Sequence, residues 1–140
     1  MGNLPVSFDI LDVLVDAGAV YRLGEAPVDG IYPCIIGGLS ERPDEHVTLI
    51  DGLPTILSQT LNKITLTTEP IDIITRGLTY QAAVNILSSV TSVLDALGKF
   101  RPASKSYTYQ NVIVKMPMTY LGRDEKKRFL VMAKYDTRRW

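Results

Sequence analysis

The stretch PIDIITRGLTYQAAVNILSSVTSVLDALGKF, residues 70–100, carries two hydrophobic periods in succession, and its reading decides the fold. After Pro70, Ile71 and Ile73 alternate with Asp72 and Ile74, the two-residue period of a strand. The run ends at Arg76-Gly77. Beyond Thr79 the period changes, and Ala83, Ile86, Leu87, Val90, Val93, Leu94 and Leu97 recur at helical spacing. Thr79 is the predicted N-cap, because its hydroxyl can accept from a free amide of the first turn, and Gly98 is the predicted stop. The other side of this helix carries Gln81, Asn85, Ser88, Ser89, Ser92 and Asp95, a short-chained polar face suited either to water or to cover by another protein. A strand that feeds an apolar-striped helix predicts a sheet with this helix as the main cover of its core.

Working outward, residues 5–17, PVSFDILDVLVDA, predict a first helix with Ile10, Leu11, Leu14 and Ala17 inward, and Asp9, Asp12 and Asp16 toward solvent. Strands are predicted over 19–24, 31–36, 46–51, 63–76, 107–116 and 128–135 from their β-branched and aromatic alternation. Pro33 cannot donate a ladder hydrogen bond, so 31–36 is expected at an edge or broken, and Pro70 is expected to divide or bulge the long strand. Residues 37–45, GGLSERPDE, read as an exposed, mobile loop, and 52–62 stay open between an irregular crossing and a helical turn. The LGRDEKKR segment between the last two strands is expected to protrude, and the closing DTRRW reads as a charged tail, exposed or docked on a partner. Two main helices among about six strands, without strict alternation, predict one α+β (α/β) domain over 1–140. Its sheet is mixed and mostly antiparallel, with both helices on one face.

The 140 residues are 46% hydrophobic and 21% charged, the balance of an ordinary globular chain. No apolar run approaches the roughly 20 residues needed to cross a bilayer, so no membrane partner is expected. The first residues carry acids where a signal peptide has bases, so none is expected. The single Cys34 leaves no internal disulfide. The net charge of zero conceals a division: residues 1–70 hold 3 basic and 10 acidic side chains, net −7, while residues 71–140 hold 12 and 5, net +7. Either the halves interleave and the charges intermix, or the molecule has an acidic and a basic flank able to associate head to tail.

Catalytic constellations are weak. Cys34 and His46 could be paired by spacing alone, but a buried structural thiol and an exposed histidine are the preferred reading. Asp44 and Glu45 precede His46 without the helical spacing of a metal motif, and Gly37-Gly38 lacks the lysine of a phosphate loop. Asp124, Glu125 and Asp136 interrupt the basic residues of GRDEKKR and DTRR, which weakens any field for nucleic acid. Arg76 has two readings, a head group bonded to nearby carbonyls or an anchor at a subunit interface. No catalytic, metal or cofactor residue is predicted.

The ITRGLTYQAAVNIL and YLGRDEKKRFLVMAKY segments, and the order of elements over the whole chain, resemble the tail terminator proteins of long-tailed bacteriophages, also known as minor capsid or tail completion proteins. The resemblance implies a structural virion protein, not an enzyme and without a cofactor, made in the host cytoplasm. It implies a ring, expected to be a hexamer, at the head-proximal end of the tail tube, which stops tube polymerisation and meets the head–tail connector or stopper in the neck. Phage DNA would pass through its lumen without sequence-specific binding. Another neck component, such as a head completion protein, is the alternative. On this view Arg76, Arg123 and Lys127 are expected to face Asp44 or Glu45 of a neighbouring copy, with Arg138, Arg139 and Trp140 also at an interface.

Overall fold

The structure, a computed structural model, describes residues 5–38, 43–52, 55–59, 65–98 and 109–139. These form α1 (Val6–Asp16), β1 (Val20–Arg22), β2 (Tyr32–Ile36), β3 (His46–Asp51), β4 (Thr55–Gln59), β5 (Thr65–Gly77), α2 (Tyr80–Asp95), β6 (Tyr109–Arg123) and β7 (Phe129–Arg139). The strands make one mixed sheet in the order β1-β2-β3-β5-β7-β6, with β4 laid against the start of β5. The pairs β1–β2 and β2–β3 run parallel, and the other four pairings are antiparallel. The basic linker after Gly98, Tyr107 and Trp140 lie outside the described residues.

Both helices cover one face. Register places Val47, Leu49 and Asp51 beside Thr75, Ile73 and Ile71, and these beside Val131, Ala133 and Tyr135. On that face the Thr75 hydroxyl donates to the Ala83 carbonyl of α2 at 2.8 Å, and Asp51 accepts from the Ser7 amide of α1 at 2.9 Å. The core between them holds Ile10, Leu14, Leu49, Ile71, Ile73, Leu87, Val90 and Leu94, all shielded from solvent. Thr79 caps α2 as predicted, its hydroxyl accepting from the Ala82 amide at 3.0 Å. Ala83, Ile86, Leu87, Val90 and Leu94 are the buried stripe of that helix, with Val93 and Leu97 half-buried at its margin.

Several local expectations are corrected. Residues 55–59 are a strand, which the sequence left open, because β5 overhangs β3 and offers Thr65–Thr68 to a partner. Pro70 does not divide β5, whose pairing with β7 runs without a shift from Thr67 to Gly77. On its other side Pro70 falls where β4 has ended and β3 has not begun, and its carbonyl accepts from Gly52 at 2.9 Å, so the missing donor leaves no bond unmade. Pro33 lies in a strand paired on both sides. It is tolerated because the β2–β3 ladder begins only at Cys34. Residues 137–139 are no tail but the end of β7, with Thr137 and Arg139 buried. Ala17 is exposed rather than inward, because α1 stops at Asp16. The described ends of the 37–45 loop are pinned, Gly37 donating to Leu49 and Gly38 accepting from the Thr48 hydroxyl at 2.8 Å.

Gly77 is the closest approach of strand and helix, since a Cβ there would lie 2.4 Å from the Ala83 amide nitrogen. That atom belongs to helical backbone and cannot rotate away. Gly77→Ala is expected to destabilise the fold by about 2 kcal/mol or more, measured as a lower urea midpoint with unchanged slope.

Candidate interaction surfaces

Two buried ionic groups join segments that are far apart in the chain. On the open face of the sheet, Arg76 of β5 is 2% exposed and turns toward the 43–45 loop. Its Nε donates to the Asp44 carbonyl at 2.8 Å and one terminal nitrogen donates to the Pro43 carbonyl at 2.7 Å. Arg128 lies beside it and bridges Asp124 at 2.8 Å and Asp44 at 2.9 Å. Asp124 organises the β6–β7 turn by accepting from the Lys126 and Arg128 amides. Partial burial works against its ionisation, but the bonds from Arg128 hold its carboxyl below the usual carboxylate range.

His46 is fully buried in this group, not exposed as its position in the sequence suggested. It pairs with Arg76 across β3 and β5, so it faces the same loop. The carbonyl of Pro43 lies 3.0 Å from Nδ1 and can only accept, so Nδ1 carries the proton and Nε2 is left without a partner. Burial, and then the charge of Arg76, push its pKa below the ordinary value.

The second group lies on the helix face at the opposite end of β5. Asp9 of α1, read from the sequence as solvent-facing, is fully buried and accepts from the Tyr109 hydroxyl at 2.6 Å. Arg139 donates to that hydroxyl at 3.0 Å and to Glu69 at 2.6 Å. Burial and the Asp9 bond hold the Tyr109 phenol neutral by raising its pKa. Residues 69, 109 and 139 are brought together by strand register, and Asp9 by the packing of α1 on the same face, so no local sequence signal marks them.

Among the residues expected at an interface, Arg76 and Arg139 are therefore committed within the chain, and the carbonyl-bonded reading of Arg76 is the one observed. Asp44 is held by Arg128, and the Glu45 carboxylate accepts from the Leu78 amide at 3.2 Å. These two acids serve the chain's own turn and helix entry, and the Asp44 side chain stays 56% exposed. Arg123 and Lys127 are exposed at the β6–β7 turn, Arg138 is exposed near the end of β7, and Trp140 lies outside the described residues. Arg123 sits 5.4 Å over the Phe129 ring, beside Tyr120 and Tyr80, whose rings meet edge to face at 5.5 Å. No local sequence pattern marks this aromatic group, because its members come from three elements.

Cys34 pairs with Val47, so its side chain shares the helix face, while His46 points to the other. The two cannot form a nucleophile pair. Burial pushes the Cys34 thiol up to about 12. Among the described residues no three His, Cys, Asp or Glu side chains gather around a common point, and no helix is long and apolar enough to cross a membrane.

The topology also answers the question of the charges. The acidic half supplies β1, β2 and β3 at one side of the sheet and the basic half supplies β7 and β6 at the other. Exposed Asp16, Glu25 and Asp29 lie by the β1 edge, while Lys115, Arg123, Lys126 and Lys127 lie along β6 and its turn, with Glu125 among them. No known family's sequence profile and no curated protein matches this chain.

His46 gives the fold a pH dependence of definite sign. Below about pH 6.5 the unfolded chain binds a proton that the folded chain excludes, so stability falls with pH in that range. The urea midpoint of the wild type is expected to drop more between pH 7 and pH 5 than that of His46→Asn, which keeps a donor toward Pro43 but does not titrate.

Proposed function

We propose that this protein is a structural subunit that assembles with copies of itself head to tail, as the resemblance to phage tail terminators implies. The observation that carries the reading is the separation of charge between the two edges of the sheet, acidic by β1 and basic along β6. A contact between unlike surfaces leaves one of each free on every growing assembly, and it ends only when the rotation closes a ring. Charges of opposite sign favour this contact and disfavour like against like. In the setting of the resemblance, the ring is a hexamer at the head-proximal end of the tail tube, with the tube protein on one side and the head–tail connector on the other. Recovery with tail tubes rather than with capsids would separate it from another neck component.

The turn residue Lys127 adds support. It is the one non-glycine with positive φ among the described residues, at 63°, in the place of a three-residue hairpin loop that glycine ordinarily fills. A lysine there stores strain of roughly 1 kcal/mol relative to glycine, and in exchange projects a charge from the basic edge.

Light scattering of the purified chain at low salt is expected to show a species near six times the 15.5 kDa chain mass, dispersing as salt is raised. A mass that stays at one chain across all concentrations overturns the reading. Lys127→Gly is expected to act in two directions, raising the urea midpoint while weakening assembly.

A further inference from the structure

The exposed large hydrophobic side chains of the described residues fall into two groups. One comprises Leu78, Tyr80, Ile113, Val114, Met118, Tyr120 and Leu121, on β6 and at the entry to α2. The other comprises Phe8, Leu23 and Val28, on α1 and beside β1. Their charged surroundings are opposite. Leu23 and Val28 are flanked in the chain by exposed Glu25 and Asp29, with Arg22 beside Leu23 already paired to Asp12. Tyr120 is followed by exposed Arg123, Lys126 and Lys127, with Glu125 among them.

The outer edge of β6 is poorly suited to adding another strand. Its pairing with β7 shifts register at four places, and Lys115 and Pro117 sit in its middle. Bulges, lysine and proline are the devices that blunt a sheet edge against ladder pairing. Recognition at this edge therefore falls to side chains. Tyr80, Tyr120 and Phe129 form a ring cluster with centroids 5.5 to 6.5 Å apart, and Arg123 lies against it. Tyr80 and Tyr120 are nonetheless 47% and 48% exposed. Aromatic and arginine side chains held in place by one another lose little freedom when covered, which makes such a group an anchor for a partner.

Resting on the subunit reading above, we infer that this aromatic cluster seats a second copy of the chain, receiving the acidic β1 corner around Leu23 and Val28. The occupant follows from charge and chemistry together. The corner brings aliphatic side chains for the rings and carboxylates for Arg123, Lys126 and Lys127. The two surfaces lie at opposite edges of one sheet, so a single chain cannot join them itself.

Two double variants test the contact, Leu23→Ser with Val28→Ser and Tyr80→Ser with Tyr120→Ser, in the full chain, with mass followed by light scattering at low salt. Each variant alone retains only one usable surface and is expected to need at least tenfold higher concentration to associate. Mixed in equal amounts, they are expected to form a one-to-one pair and nothing larger, because one intact contact remains between them. The pair also shows that both variants are folded. Wild-type assembly with both variants assembling as well as it does overturns the contact and leaves the subunit reading standing. Variants that stay monomeric when mixed, with wild-type urea midpoints, also overturn it. A wild type that never associates overturns the subunit reading, and the contact with it.

Discussion

The junction of β5 and α2 is the constraint on which the rest of the structure depends. β5 is bonded on one side to β7 from Thr67 to Gly77 and on the other to β4 and then β3, so it cannot shift without breaking ladders on both sides. Gly77 lets the chain turn into α2 with strand and helix in near contact, and Thr75 bonds the helix carbonyl at Ala83. With α2 fixed at that height, its stripe covers Ile71, Ile73, Val131 and Tyr135, and its last turn places Asp95 where it accepts from the Tyr135 hydroxyl at 2.8 Å. α1 then occupies the remainder of the same face, over β1, β2 and β3.

The buried charges follow from this arrangement. A guanidinium out of water is tolerable only when its donors are met by carbonyls or carboxylates in good geometry. Arg76 and Arg128 meet that demand through the 43–45 loop and the β6–β7 turn, and Arg139 through Glu69 and Tyr109. Each group ties a sheet end to a segment distant in the chain, and so fixes elements that apolar packing alone would leave free to slide. The arginines that might have served a neighbour by virtue of their charge are thereby withdrawn from the surface. Among the charges that remain exposed are the lysines of β6 and its turn with Arg123 and Glu125 at one edge, and Asp16, Glu25 and Asp29 near β1 at the other, with Asp44, Asp95 and Arg138 elsewhere.

Such a surface is what the proposed assembly draws on. The two exposed apolar groups coincide with the two charged edges, which ties the specificity of a contact to its burial. The polar face of α2, with Gln81 bonded to Asn85 and the serines bonded back to carbonyls one turn away, satisfies its own groups along the helix. That leaves the sheet edges rather than the helix back as the places with most to gain from a partner.

Periodicity made the fold class and both helices legible, because the spacing of apolar residues follows directly from 3.6- and 2-residue geometry; Thr79 was legible as a cap for the same local reason. Proline was misleading at positions 33 and 70, since its missing donor matters only where a neighbouring strand is present, and neighbours are a tertiary fact. Asp9, Arg76 and Arg139 looked like surface residues, and tertiary contacts made them interior ones by supplying partners from 30 to 130 residues away; His46, bonded to Pro43 three residues back, is interior because it pairs with Arg76 across β3 and β5. The sequence by itself determined which residues could line a core and how charge divides along the chain. Only the tertiary structure decided that the division becomes two edges, because strand order, unlike hydrophobic period, is set by contacts between segments that share no local pattern.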